Sequence, residues 1–201
     1  MDLDNNIDLV SLRHENLEKF LKKHDLPRKK WSHSCSYDGQ QRSFNCGFWK
    51  LMHVVTVGIA EHRGGLNLVE GDVVSKHVRI FSPSEAADVM KDFIAQFFPC
   101  APCRDHFVAQ YDQCSNRRCV RLTDETEEAS NADWMELAKW LWEVHNDVNV
   151  RLLGERSRKK VTVHDEVRVL YPPLHDCQSC LNADGVFDED AVFLYLEKEY
   201  W

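Results

Sequence analysis

Eight cysteines standing in four close pairs constrain this chain more than any other feature. They are Cys35 and Cys46, Cys100 and Cys103, Cys114 and Cys119, and Cys177 and Cys180. An even count clustered in this way predicts a disulfide framework made in an oxidising compartment. Three chemistries compete for the pairs: loop staples, tetrahedral zinc, and a redox dithiol. The two CxxC pairs supply four thiols, enough for one zinc. More than seventy residues lie between them, however, against gaps of about 12–20 in compact zinc modules, and no metal is expected. Cys35–Cys46 and Cys114–Cys119 close short polar loops and read as staples. Cys100–Cys103 has a different setting, "FFPCAPCRDHF", between an apolar run and a short helical segment. The positive end of a helix lowers a thiol pKa and favours the attacking thiolate, so disulfide exchange is its best reading.

The rest of the chain reads as helices. Asp8–His24 carries Leu9, Leu12, Leu17, Phe20 and Leu21 on one side, and Pro27 stops it. Asn45–Ala60 places Phe48, Leu51, Met52, Val55 and Ile59 at helical spacing, with Trp49 and His53 beside that stripe. Glu61–Phe81, with three glycines, reads as a long loop. Ser82-Pro83-Ser84-Glu85 is a helix start, since serine caps, proline suits the first turn and Glu85 closes a capping box. That helix is expected to run to about Phe98, with a short helix after Cys100–Cys103 through Gln110. "CSNRRCVRLTDETEEASN" reads as loop. Asp133–Leu153 is the clearest helix, with a stripe of Trp134, Leu137, Ala138, Leu141, Val144, Val148 and Leu152. A long polar connection leads to Tyr171-Pro172-Pro173, and a last helix covers about Glu189–Glu199. Without a strand-rich region or a repeat, the expected fold is an all-α bundle stapled by disulfides.

A second stripe on the 133–153 segment points to a ligand. Trp142, His145, Asn146 and Asn149 stand at i, i+3, i+4 and i+7, and buried amides and imidazoles are costly unless something bonds them. Trp49 with His53 (i, i+4) and Cys103 with His106 (i, i+3) repeat the theme on two further segments. Converging, these faces make a wall for a flat polar ligand beside a dithiol, most simply a flavin. The charge balance argues against nucleic acid: 25 Lys plus Arg stand against 33 Asp plus Glu, a net charge of −8. No run approaches the roughly 20 apolar residues of a membrane helix. The acidic start "MDLDNNIDLV" has no secretory leader pattern. Set against the paired cysteines, that predicts a fragment of a longer protein.

"CGFWKLMHVVTV", "FFPCAPCRDHF", "WLWEVHNDVNVRL" and "YPPLHDCQSC", in this order and spacing, resemble the Erv/ALR flavin-linked sulfhydryl oxidases, most closely the Erv domain of quiescin sulfhydryl oxidase. The resemblance covers roughly Trp31–Tyr200. It implies a four-helix bundle with an additional short helix and long connecting loops, an FAD-binding domain at 31–201, and a 1–30 helical segment as remnant of an upstream pseudo-Erv domain. It further implies FAD contacts from Arg42, Trp49, His53, His106, Trp142, His145, Asn146 and Asn149. Arg168 and Tyr171 would complete that site, standing where the family pattern has a Lys and a Trp. Pro102 replaces an acidic residue of the family's CxxC. The implied reaction is FAD-dependent oxidation of protein dithiols, with O2 reduced to H2O2. Cys100 is the implied interchange thiol and Cys103 the one facing the flavin, in a secretory-pathway protein whose thioredoxin-like domain delivers the dithiols. Cys177–Cys180 is a shuttle pair or a structural staple, with the structural role favoured. Two rival readings stay open: a stand-alone oxidase of the mitochondrial intermembrane space, and a non-catalytic zinc- or disulfide-stapled interaction module.

Overall fold

The computed structural model describes residues 42–63, 81–157, 160–182 and 184–201. The expected Asp8–His24 helix, Cys35 and nearly all of the Glu61–Phe81 loop lie outside these residues. The described chain is all-helical: α1 is Arg42–His62, α2 Pro83–Phe97, α3 Ala101–Asp112, α4 Arg118–Arg121, α5 Asn131–Arg156, α6 Val163–Val167 and α7 Glu189–Tyr200. Among the described residues there is no strand, and one isolated antiparallel bridge joins Leu181 to Phe187. No helix among them is long and apolar enough to cross a membrane.

Local chemistry sets the helix ends. Ser82 accepts from the Glu85 backbone N–H while the Glu85 carboxylate accepts from the Ser82 N–H, so the expected capping box starts α2. The same device, with aspartate at the third position, starts α5 at Ser130–Asp133 and α6 at Thr162–Asp165. Pro99 ends α2, and Cys100 is the residue from which α3 begins. The 114–121 stretch, expected as loop, instead forms a short 3-10 turn at Ser115–Arg117 and then α4. Its Cys114, Asn116 and Arg117 have positive φ, a geometry that residue type alone does not announce outside glycine.

Helix α5 is the hub, packed against α1, α2, α4 and α7. One core collects Met52, Ala87, Met90, Ile94, Phe107, Tyr111, Leu137, Trp140, Leu141 and Val144. Trp140 of α5 meets Phe107 and Tyr111 of α3 edge-on, which fixes the helix following the CxxC. A second core gathers Val57, Ala138, Trp142, Val192, Phe193 and Leu196 around the Cys177–Cys180 disulfide. The core face of α1 is turned from the expected one. Leu51 and Val55 are exposed, whereas Met52, His53, Thr56, Val57 and Ala60 are buried. The helix therefore buries a polar strip that apolar spacing alone does not reveal.

Candidate active site

The turn of α1 puts His53 at the centre of a cluster of polar rings. Its side chain is fully buried, and its Nε2 lies 3.1 Å from His145 Nδ1 on α5. One turn earlier on α1, Trp49 stacks on His145, with ring centroids 4.2 Å apart and planes 8° from parallel. Tyr200 of α7 stacks on His53 at 5.1 Å and 10°. Tyr171 lies 5.3 Å from His145 and 5.7 Å from His53, and its hydroxyl is 2.7 Å from that of Tyr200. Three helices and the 169–171 segment thus meet at one set of ring faces.

The polar stripe of α5 supplies the frame. Asn146 Nδ2 donates to the Tyr171 carbonyl at 2.8 Å, and Asn146 Oδ1 accepts from the Tyr171 N–H at 2.7 Å. Trp142 Nε1 donates to the same carbonyl, and Asn149 Nδ2 donates to the Val169 carbonyl at 3.0 Å. These side chains spend their hydrogen bonds on the backbone before Pro172 and so hold Tyr171 in place. The stripe is a set of brackets as much as a wall.

The cluster is uncharged near neutral pH. Burial pushes the His145 imidazole down to about 3, and burial followed by the neighbouring His145 holds His53 well below the ordinary range. Burial raises both phenols, Tyr200 to about 12. Neutral aromatic faces with polar edges suit a flat heterocycle. One edge is unmatched: His53 Nδ1 is buried with no hydrogen-bond partner, which costs about 1–3 kcal/mol unless a ligand group meets it. By donor chemistry the residues fit a flavin ring system.

Cys100 and Cys103 form a disulfide at the N-terminal end of the 12-residue α3. Phe98, two residues before Cys100, packs on Phe48 at 4.8 Å, and Phe48 directly precedes Trp49. The segment leading into the dithiol is therefore fastened to α1 one residue from Trp49. Cys177–Cys180 is a disulfide inside the second core, with Cys180 fully buried. Cys114–Cys119 is bonded as expected, and Cys46 is disulfide-bonded too.

Two expected contacts stand apart from the rings. His106 on α3 has its imidazole held low by burial and by Arg151, with Glu155 and Asp147 opposing, so its charged neighbours lie along the outer row of α5. Arg168 is exposed at the end of α6 and acts on Asp165. Arg42 opens α1, and its side chain falls outside the described part. Tyr200 belongs to the cluster and escaped the sequence reading. The signal was its place at i+7 from Phe193 and i+4 from Leu196, both core residues of α7.

A family model described as "Erv1 / Alr family" matches residues 46–168. This chain belongs to the Erv1 / Alr family. The match takes in most of α1 and all of α2 through α6, with Trp49, His53, His145 and the CxxC, while Tyr171 and Tyr200 lie beyond it. Among curated relatives, "Sulfhydryl oxidase 1" of Oryza sativa subsp. japonica is 33% identical over 184 residues, covering 88% of this chain and 29% of that protein. "Sulfhydryl oxidase 1" of Arabidopsis thaliana is 29% identical over 182 residues, covering 88% of this chain and 28% of that protein. "Sulfhydryl oxidase 1" of Gallus gallus is 27% identical over 166 residues, covering 79% and 18%. The chain thus spans less than a third of the length of these relatives. The expected all-α, disulfide-stapled fold and the expected family are both found.

Proposed function

We propose that this Erv1 / Alr chain is the FAD-binding catalytic domain of a quiescin-type sulfhydryl oxidase, converting protein dithiols to disulfides and O2 to H2O2. The observation that carries the reading is the presence, in one helical bundle, of a helix-start CxxC disulfide and a neutral, ring-lined cluster holding an unpartnered buried imidazole nitrogen. The relatives' names support the reaction class. Their much greater length leaves room for the upstream thioredoxin-like domain that the resemblance implies, and the paired cysteines favour a protein of the secretory pathway.

In this reading a substrate thiolate attacks Cys100 Sγ. A substrate–Cys100 disulfide forms, the Cys100–Cys103 bond breaks, and its electron pair leaves on Cys103 Sγ. The N-terminus of α3 stabilises that thiolate. The second substrate thiolate then attacks the substrate sulfur of the mixed disulfide. It forms the product disulfide and releases Cys100 as thiolate, so two electrons now reside on the Cys100–Cys103 pair. Bound FAD supplies the acceptor for that electron pair and the route to oxygen. Trp49, His145 and Tyr171 would offer it ring faces and His53 Nδ1 a hydrogen bond. Trp142, Asn146 and Asn149 hold the 169–171 segment in position, and Arg42, His106 and Arg168 would take more peripheral contacts. Neutral imidazoles at the ring edge keep positive charge out of the site, so bonds made there are those of imidazole and not imidazolium.

Oxygen consumption with dithiothreitol tests the assignment. Cys100→Ser or Cys103→Ser is expected to lower turnover at least a hundredfold, while Cys177→Ser keeps most of it. Equal losses in all three would show that the ranking of the pairs is wrong.

A further inference from the structure

The Cys114–Cys119 disulfide is unused by the proposed reaction, and its surroundings differ from those of the other pairs. It closes the turn that follows α3, where Cys114, Asn116 and Arg117 all hold left-handed backbone. Cys119 is exposed. The Arg118 guanidinium lies 3.7 Å from the centre of the Tyr111 ring, and its Nε donates to the Tyr111 carbonyl at 3.2 Å. So placed, its Nη2 stands 3.2 Å from Cys119 Sγ and 4.0 Å from Cys114 Sγ. A permanently charged group beside both sulfurs lowers the energy of a departing thiolate and draws an incoming one. Cys177–Cys180 has the opposite setting, an apolar core that penalises thiolate and excludes nucleophiles.

We infer that Cys114–Cys119 is a second thiol-exchange site, open to small thiols from solvent and separate from the Cys100–Cys103 pair. An incoming thiolate attacks the exposed Cys119 Sγ. The thiol–Cys119 disulfide forms, the Cys114–Cys119 bond breaks, and the electron pair leaves on Cys114 Sγ beside Arg118. A second equivalent of thiolate attacks the sulfur of the first, making the small-molecule disulfide and freeing Cys119. The site is not a relay to Cys103. Helix α3 separates the two pairs by about 17 Å at 1.5 Å per residue, too far for sulfurs on one rigid helix to meet.

Opening the bond unlatches a defined part of the fold. The loop's left-handed residues are held against extension by the disulfide and by Trp140 Nε1 donating to the Ser115 carbonyl. Asn116 Nδ2 donates to Asp147. Arg121 ties the same segment to Glu136 and Glu143 of α5 and to Glu189 of α7. Without the covalent closure, the residues before Arg121 are free to relax to right-handed or extended backbone.

The test equilibrates the 201-residue chain in glutathione redox buffers without oxygen, quenches with acid, alkylates and maps the cysteines by mass spectrometry. Cys114 and Cys119 are expected to be half-reduced at a glutathione poise at least tenfold less reducing than Cys177 and Cys180 require. At early times the glutathione adduct should sit on Cys119 with Cys114 alkylated. Arg118→Gln should slow opening about three- to tenfold, and Arg118→Lys should restore most of the rate. Opening of Cys114–Cys119 only together with Cys177–Cys180 would overturn the inference, as would an adduct mainly on Cys114 or an unchanged rate in Arg118→Gln. The readout is thiol content, so it stands or falls independently of flavin binding and oxidase turnover.

Discussion

Removing the Asn146 amide tests how the ring cluster is held. Asn146 is buried and both halves of its amide serve Tyr171, one accepting from its N–H at 2.7 Å and one donating to its carbonyl at 2.8 Å. Asn146→Ala deletes two hydrogen bonds worth about 1 kcal/mol each and leaves the Tyr171 N–H without its partner, a further cost of about 1 kcal/mol or more. The Tyr171 carbonyl keeps Trp142 as donor, so the penalty falls on one side only. The expected loss is about 3 kcal/mol, a fall in Tm of roughly 6–12 °C for a domain of this size. Asn149→Ala removes a single bond to Val169 from a half-buried position and should cost about 1 kcal/mol. Urea unfolding of the flavin-free chains, followed by circular dichroism, measures both. A loss below about 0.5 kcal/mol for Asn146→Ala, or one no larger than that of Asn149→Ala, would refute the claim that this amide anchors the Tyr171 segment.

Acid should weaken the fold through the buried imidazoles. Their folded pKa values lie below the unfolded value of about 6.5, so the unfolded chain binds more protons between the two. Stability from these groups is present in full above about pH 7 and is lost as pH falls toward 3. For His145, 1.5 pH units below 6.5 correspond to about 2 kcal/mol at pH 5, an upper figure because the residue is half-buried. Unfolding at pH 7 and pH 5 should show that difference shrinking in His145→Gln. Gly58→Ala probes the end of the chain, since an added Cβ would meet the Trp201 ring at 3.0 Å. Trp201 is largely exposed, so its ring can swing aside. The helical gain of alanine should then leave Tm unchanged or about 1–2 °C higher; a clear drop would mean the ring is fixed.

Much of this architecture is written in short-range chemistry. The Ser82–Glu85 pair announces α2, the apolar spacing of 133–153 announces α5, and the break at the CxxC announces a new helix, which begins at Ala101 and not after Cys103. In each case a few residues decide the local geometry. What stayed hidden depends on distant partners. The rotation of α1 that buries His53 and exposes Leu51 follows from its neighbours α5 and α7, which no window on α1 contains. The 114–121 turn needs three non-glycine residues in left-handed backbone, stabilised by Trp140 and Asp147 about 25–30 residues away. The stripe of Trp142, Asn146 and Asn149 was legible as polar and helical. That it grips the 169–171 backbone, and that Tyr200 closes the cluster over His53, required the fold. Arg168 carries the same lesson in reverse, since its cation stands in the expected stretch of sequence but is exposed beside Asp165.

The central claim is that this ring cluster holds FAD in electronic contact with the Cys100–Cys103 pair. The measurement that meets it most directly is the visible spectrum of the purified chain before and after dithiothreitol without oxygen, with the chromophore then released by acid and identified. The account predicts a yellow protein that releases FAD, with an absorbance near 450 nm that thiol bleaches in the native chain and not in Cys103→Ser. A well-folded protein that neither carries nor takes up FAD, or a flavin that bleaches equally fast in Cys103→Ser, would contradict it.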